Sequence, residues 1–215
     1  MPELPEVEVV KNFLSSNLSG KRIQKIKILN KKLRYEIKPI ITKYFIDLII
    51  TKISRRGKYL ILLFENKYTL LIHLGMTGYF RILRQENYIK HDHLAFYFES
   101  KLLVYNDIRK FGFIKFYKPD EVLNSKHLLN IGPEPFSKNY DLNYFKSNSK
   151  KTTNIKNLLM NQNFVAGLGN IYCSEILFDA KICPKKNCKK LNNKQMQQII
   201  RSTKKILNKA IRFGG

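Results

Sequence analysis

The chain has 215 residues, of which 40 are Lys or Arg and 16 are Asp or Glu, so its formal net charge is +24. A hydrophobic content of 44% excludes a disordered basic tail, and the composition argues against a collagen-like chain or a coiled coil. The positive surplus predicts a polyanionic partner, with nucleic acid first and a membrane surface second. The chain is also rich in Lys, Ile and Asn, which an AT-rich genome produces without selection for DNA binding.

No apolar run approaches the ~18–20 residues that cross a bilayer. The N-terminus, MPELPEVEVV, is acidic and contains two prolines, so it does not look like a signal peptide. The three cysteines are Cys173, Cys183 and Cys188, an odd number that favours reduced thiols in the cytoplasm. Cys183 and Cys188 have C-x4-C spacing, which is unusual for zinc, so we expect no metal site among these residues.

The first segment has the pattern of a helix that starts at Pro5 and ends near Gly20. Its apolar positions are Val7, Val10 and Leu14, with Val9 and Phe13 widening the stripe. From 21 to about 118 the pattern changes to short apolar or aromatic runs, which are typical of an antiparallel sandwich or barrel. We predict strands at 25–28, 59–64, 68–74, 79–83, 94–98, 102–105 and 113–117.

The stretch from about 131 to 153 contains Gly132, Pro133 and Pro135 and then polar residues, which indicates a loop-like linker. Beyond Asn154 the apolar spacing becomes helical. We predict helices over 155–159, from Asn170 through 177, and from a cap at 192 or 193 to about 211. The predicted fold class is α+β, with a catalytic β-sandwich domain at 1–131, a hinge at 132–153 and a helical domain at 154–215.

The N-terminal residues suggest nucleophilic chemistry. Proline in second position favours removal of Met1, which leaves Pro2 with a free secondary amine. An α-amino group has a pKa of about 7.7–8.0, against about 10.4 for lysine, so far more of it is uncharged at neutral pH. Such an amine can form a Schiff base, and Glu3 is adjacent for proton transfer. The alternative is that Pro2, Pro5 and the acidic residues only shape the start of a helix.

The residues MPELPEVE at 1–8 resemble the opening of the bacterial formamidopyrimidine-DNA glycosylase family. Further blocks in family order continue the resemblance over nearly the whole chain. They are RRGKYL at 55–60, HLGMTG at 73–78, KHDH at 90–93, DIRKFG at 107–112, GPEP at 132–135, and IK at 155–156 through GLGNIY at 167–172 to SE at 174–175. The N-terminal and GLGNIY blocks are the most specific.

The resemblance implies a β-sandwich preceded by a helix, a hinge, and a helical domain with a helix-two-turn-helix motif. It implies a base-excision-repair glycosylase and abasic-site lyase that removes oxidised purines (8-oxoguanine and formamidopyrimidines). Pro2 would attack C1′, and the Schiff base would cut the strand by β,δ-elimination. Glu3 would be the general acid/base, Glu6 would support the site, and Lys58 would contact the lesion or its phosphates. Without the resemblance, Lys58 is simply an exposed lysine at a strand end.

The resemblance also implies a DNA interface in which the damaged base leaves the stack. Met76, Arg109 and Phe111 would fill the void, although Met76 and Phe111 could instead belong to the core. Phosphate contacts would come from His91, Arg109, Lys151, Lys156 and Asn170. Backbone N–H groups of the 167–170 turn would bind phosphate at a helix N-terminus. His73 and His93 could be structural.

In the family a lesion-covering loop and a four-cysteine zinc finger follow, beyond the position of Gly215. We therefore expect a fragment or a shortened gene, with zinc bound by none of these residues. The expected partner is damaged double-stranded DNA, bound by a monomeric, cytoplasmic, nucleoid-associated protein. Two alternatives stay open: an endonuclease VIII-like enzyme for oxidised pyrimidines, and a non-catalytic remnant that binds damaged DNA.

Overall fold

The computed structural model describes residues 1–149 and 153–215. Within them the chain forms two compact units. The first unit comprises Met1–Pro2 and Val7–Ser125, and the second comprises Glu3–Glu6 and Lys126–Gly215. The first four residues after Pro2 therefore belong with the C-terminal part of the chain, which sequence patterning did not suggest.

Helix α1 spans Leu4–Leu18. The Glu6 carboxylate accepts the N–H of Glu3 at 2.7 Å, which satisfies one of the free donors at the start of the helix. Leu14 and Leu18 are fully buried in the core of the first unit. Phe13, expected on the apolar stripe, is instead exposed, so that part of the predicted stripe is wrong.

The first unit contains two four-stranded antiparallel sheets. One has the order β1-β6-β7-β5 and the other the order β2-β3-β4-β8. The strands are β1 (Lys25–Ile28), β2 (Ile50–Arg56), β3 (Tyr59–Phe64), β4 (Thr69–His73), β5 (Tyr79–Leu83), β6 (Asp92–Tyr97), β7 (Leu102–Asn106) and β8 (Phe113–Tyr117). A short helix, α2, spans Ile40–Tyr44.

The two sheets contribute to one apolar core, in which Leu60 and Leu62 of one sheet and Leu94 and Phe96 of the other are buried. This arrangement and the helical second unit confirm the predicted α+β fold class. Strand β2 was not predicted, because only two of its seven residues are buried and the rest are polar, charged or half-exposed.

The second unit is helical around its own core. Its helices are α3 (Leu142–Asn148), α4 (Ile155–Met160), α5 (Asn170–Asp179) and α6 (Asn193–Arg212), with a 3₁₀ turn at Cys188–Lys190. Asn192 caps α6 in a reciprocal arrangement with Gln195, as the sequence predicted for this position. No helix of the described residues is long and apolar enough to cross a membrane.

Helix α3 corrects the prediction that 131–153 is loop throughout. Asp141 caps it by accepting the N–H of Tyr144 at 2.7 Å, and Phe145 is fully buried. A single aromatic anchor and a capping aspartate are enough for two turns, but they are too few to give a helical periodicity. The domain boundaries themselves stay predictions.

Candidate active site and nucleic-acid interface

Glu3 lies at the N-terminus of helix α5, inside the second unit. Its side chain is 3% exposed. One carboxylate oxygen accepts the N–H of Gly169 at 2.6 Å and that of Tyr172 at 3.4 Å, and the other accepts the N–H of Ile171 at 3.0 Å. The free amides and the positive end of the helix favour an anion at this place. Both oxygens of the proposed acid/base residue are therefore fixed in position.

The glycines of the GLGNIY block make room for this arrangement. A Cβ on Gly169 would lie 2.4 Å from a carboxylate oxygen of Glu3. A Cβ on Gly167, whose φ is +86°, would lie 2.6 Å from the Cβ of Leu4. The N–H of Gly167 donates to the side-chain oxygen of Gln162 at 2.9 Å.

Two of the amides that the 167–170 turn was expected to offer to a DNA phosphate are engaged within the protein, because Gly167 donates to Gln162 and Gly169 donates to Glu3. The amides of Gly169, Ile171 and Tyr172 bind Glu3 instead. The anion at this helix terminus is a side chain of the same protein, which no local pattern in the turn reveals.

Glu6 connects the start of α1 with α5. One oxygen accepts the N–H of Glu3 at 2.7 Å and the other accepts the hydroxyl of Tyr172 at 2.6 Å. Burial and the negative charges of Glu6 and Glu3 raise the pKa of Tyr172, so its hydroxyl stays protonated and donates. Tyr172 was missed as a site residue, although it lies within the GLGNIY block.

In the first unit, the N-terminus adjoins a cavity of about 650 Å³. Its walls combine the first residue with three of the predicted DNA-contacting residues. They are formed by Met1, Arg34, His73, Gly75, Met76, Arg109, Lys110 and Phe111. Arg34 was not predicted; its backbone N–H donates to the carbonyl of Gly112 at 3.1 Å, and this places it beside the loop that carries Phe111.

Met76 and Phe111 are 38% and 47% exposed, so neither is a core residue. Arg109 is also exposed, and its guanidinium lies 4.9 Å from the centre of the Phe111 ring. A thioether, an aromatic ring and a guanidinium at one opening form a surface suited to stacking and to hydrogen bonding with bases. The structure thus brings the three proposed void-filling residues together.

The histidines of the first unit have different environments. His91 is half-buried with a left-handed backbone, φ +71°. His93 is fully buried, and its ring nitrogens contact the carbonyl oxygens of Asn30 at 3.2 Å and Asp107 at 3.0 Å. His93 is therefore structural, whereas His91 stays a candidate contact. His73 lines the cavity and accepts the N–H of Gly75 at 3.1 Å.

Lys58 lies in the two-residue turn between β2 and β3, and its side chain is buried rather than exposed. Gly57, with φ +55°, forms that turn, and its carbonyl accepts a hydrogen bond from Arg55 at 2.9 Å. Arg55 in turn donates to Glu8 at 2.6 Å. Since a lysine is seldom buried without a purpose, this burial argues against the alternative of a plain strand-end lysine.

Two further predicted DNA contacts belong to the second unit. Lys156 is half-buried in the first turn of α4, and Asn170 is exposed at the first position of α5. Lys151 lies outside the described residues.

The zinc site that the resemblance implies belongs to a segment beyond the position of Gly215, not to the residues described. No group of three or more His, Cys, Asp or Glu side chains in 1–149 and 153–215 is arranged to hold a metal ion. Cys173 and Cys188 are buried and Cys183 is exposed, and none of the three forms a disulfide with another described residue.

Two family models and curated relatives match the chain. Residues 1–114 match the formamidopyrimidine-DNA glycosylase N-terminal domain, and residues 131–215 match the H2TH domain of the same enzymes. The formamidopyrimidine-DNA glycosylase of Rickettsia bellii is 42% identical over the whole chain, which covers 80% of that relative. The corresponding protein of Rickettsia africae is 40% identical with the same coverage.

Solved structures give the same result. The Lactococcus lactis enzyme, non-covalently bound to DNA containing an abasic site, has a TM-score of 0.92 and 37% identity. That comparison covers 99% of this chain and 83% of the other. The Lactococcus lactis enzyme with DNA containing N7-benzyl-Fapy-dG also has a TM-score of 0.92 and 37% identity, covering 100% and 80%. Two matching domains and relatives of this identity show that the chain belongs to the formamidopyrimidine-DNA glycosylase family.

Proposed function

We propose that this protein is a DNA glycosylase and abasic-site lyase that removes oxidised purines from double-stranded DNA. One observation carries the proposal: the buried Glu3 carboxylate is fixed by three amides of α5, directly after Pro2 in the chain. Catalysis of proton transfer needs such a fixed carboxylate next to the nucleophile. Relatives bound to abasic-site DNA and to DNA containing N7-benzyl-Fapy-dG support the choice of substrate.

The nucleophile in this proposal is the amine of Pro2 after removal of Met1. It attacks C1′ of the damaged nucleotide, and the bond from C1′ to the base breaks. Opening of the sugar ring gives a Schiff base between Pro2 and C1′. Loss of a proton from C2′ then expels the 3′ phosphate, and a second elimination expels the 5′ phosphate.

Glu3 transfers protons during ring opening and elimination. Its amide contacts hold both oxygens, and the Glu6–Tyr172 pair holds the backbone N–H of Glu3. Lys58 supplies a positive charge toward the lesion or its phosphates. Because the Glu3 carboxylate is fixed before DNA binds, it needs little reorganisation during the reaction.

The DNA interface uses the +24 charge and the exposed side chains of both units. Met76, Arg109 and Phe111 fill the space that the extruded base leaves. The proposed phosphate contacts are His91, Arg109, Lys151, Lys156 and Asn170. Since the substrate is chromosomal DNA, we place the protein at the nucleoid.

Borohydride trapping tests the proposal directly. The protein is reduced in the presence of duplex DNA with one abasic site, and the adduct is mapped by peptide analysis. We expect the adduct on Pro2, weaker trapping by Pro2→Gly, and none by protein that retains Met1. Glu3→Gln should suppress excision of 8-oxoguanine while still allowing some trapping on abasic DNA.

An adduct on Lys58, or trapping that survives a blocked N-terminus, would overturn the role of Pro2. A parallel assay compares duplexes with 8-oxoguanine and with an oxidised pyrimidine. Faster release of the pyrimidine would instead support the endonuclease VIII-like alternative. Tight binding to abasic DNA without any adduct would support the non-catalytic one.

A further inference from the structure

Three loops of the first unit carry four of the side chains proposed to contact DNA. The loop at 75–78 carries Met76, the loop at 107–112 carries Arg109 and Phe111, and the turn before β6 carries His91. The loops are far apart in sequence, so something must fix their relative positions. Among the described residues, Asp107 contacts all three loops, and it has no role in the proposed function so far.

Asp107 is fully buried and makes four polar contacts. Its carboxylate accepts the hydroxyl of Thr77 at 2.6 Å and the N–H of Gly112 at 2.7 Å. Its backbone N–H donates to the carbonyl of His91 at 3.1 Å, and its carbonyl contacts the ring of His93 at 3.0 Å. Each contact ends on one of the three loops or on the first residues of β6.

Thr77 extends the network. Its hydroxyl donates to Asp107 and accepts the N–H of Arg109 at 3.1 Å. The hydroxyl thus joins the Met76 loop to the backbone of Arg109, one of the three proposed void-filling residues. A charged acceptor strengthens such a chain of hydrogen bonds.

The loops also touch directly. A Cβ on Gly75 would lie 2.3 Å from the backbone nitrogen of Gly112, so the two backbones are in contact. A Cβ on Gly112 would meet the hydroxyl of Tyr105, and a Cβ on Gly78 would lie 2.4 Å from the same hydroxyl. Neither loop can shift without moving the other.

A buried carboxylate destabilises a protein unless its oxygens accept hydrogen bonds, and an apolar residue would fill a core position with a smaller loss of stability. The partners of Asp107 belong to the loops that carry the proposed DNA-contacting residues. From this we infer that Asp107 is a positioning residue that fixes Met76, Arg109, Phe111 and His91 as one rigid surface. The inference rests on the proposed function, because it assumes that these side chains enter damaged DNA. A prearranged surface avoids the entropy cost of ordering separate loops on binding.

The test uses a pair of isosteric and conservative changes. Thr77→Val removes the hydroxyl that joins the loops, and Thr77→Ser retains it. Tyr105→Phe is the matched control, because it removes a hydroxyl at the same place that has no hydrogen-bond partner among the described residues. Asp107→Asn removes the charge and presents an amide N–H₂ group where one of the two oxygens was.

The probe is a duplex with a tetrahydrofuran abasic-site analogue opposite 2-aminopurine, compared with an intact duplex of the same sequence. Kd and 2-aminopurine fluorescence are measured, with the thermal midpoint as a folding control. We expect Thr77→Val and Asp107→Asn to raise the Kd for the abasic duplex about tenfold, the effect of one charge-assisted hydrogen bond. Their fluorescence change should shrink, while their affinity for the intact duplex stays within about twofold of the parent protein's.

Thr77→Ser and Tyr105→Phe should behave like the parent protein. The inference would be overturned if Thr77→Val lost affinity equally for both duplexes, or if it kept the full preference for the abasic duplex. Either result would leave the proposed function intact. Should the parent protein itself not prefer the abasic duplex, the proposed function would fail as well. If Asp107→Asn does not fold, the comparison of Thr77→Val with Thr77→Ser still tests the inference.

Discussion

Replacing Gly169 by alanine tests whether the N-terminus of α5 requires glycine because the Glu3 carboxyl group lies against it. The backbone at Gly169 is extended, with φ −137° and ψ −158°, a conformation open to alanine without strain. The three atoms nearest to an added Cβ all belong to the carboxyl group of Glu3, the closest at 2.4 Å. The substitution is therefore a steric change directed at one side chain.

The size of the effect follows from these distances. An ordinary contact needs roughly 3.4 Å, so the carboxyl group must move by about 1 Å. That movement lengthens hydrogen bonds that now measure 2.6 and 3.0 Å to Gly169 and Ile171. Loss of one bond to a charged group costs about 1.5–3 kcal/mol of the free energy of unfolding. A misplacement of about 1 Å should also slow base excision by about 100-fold.

A double-mutant cycle makes the reasoning refutable. Urea unfolding is followed by circular dichroism for the parent, Gly169→Ala, Glu3→Ala and the double variant. With no carboxyl group to displace, alanine at 169 should cost less than about 0.5 kcal/mol in the Glu3→Ala background. An equal cost in both backgrounds would mean that the backbone, not Glu3, requires glycine. Single-turnover excision of 8-oxoguanine by Gly169→Ala gives the catalytic half of the test.

Four further results are expected. Met76→Ala and Phe111→Ala should impair lesion excision but change the free energy of unfolding by less than about 1 kcal/mol, whereas a loss of about 2–5 kcal/mol would make them core residues. Tyr105→Phe should leave thermal stability unchanged or raise it by up to about 1 kcal/mol, and a clear loss would reveal a partner for the hydroxyl. Burial alone would raise the pKa of Glu8, but hydrogen bonds from the Lys11 and Arg55 side chains hold this pKa below its usual 4.5. The ionised Glu8 carboxylate therefore stabilises the folded state at pH values above its pKa in the unfolded chain. Glu8→Gln should lower the free energy of unfolding in urea by about 1.5 kcal/mol at pH 7, and this difference should shrink as the pH falls through the lowered pKa of Glu8. A difference that does not change with pH would contradict this prediction. Finally, log K for duplex DNA should fall with log salt at about −0.9 per neutralised phosphate, and a flat response would exclude binding through phosphates.

Sequence patterning located the strands that consist mainly of apolar residues. The bounds predicted for β3, β5 and β8 agree with the structure because these strands are mainly apolar and polar residues flank them, and the bounds of β1 agree because its Lys and Ile residues alternate. Strand β2 and helix α3 carry too few buried positions for their periodicity to show. Local patterns cannot find elements that other parts of the fold stabilise.

The same limit applies to the candidate site. Pro2, Glu3 and Lys58 could be proposed because they lie in the motifs that carry the family resemblance. The anion at the α5 terminus could not be predicted, because Glu3 is more than 160 residues from Gly169 in sequence. Asp107 and Tyr172 lie within the quoted motifs, yet only their contacts show what they do.

These contacts divide the family motifs into two groups with different measurable consequences. The GLGNIY block contacts Glu3 and Glu6, so substitutions there should lower the rate of base excision more than the affinity for DNA. The 75–78 and 107–112 loops contact one another through Asp107 and Thr77, so substitutions there should lower the affinity for damaged DNA first. In each group one glycine leaves room for a close contact. Gly169 lies against the carboxyl group of Glu3, and Gly75 lies against the backbone of Gly112. We therefore expect damage recognition and proton transfer to depend on different residues, which single-turnover rates and binding constants can separate.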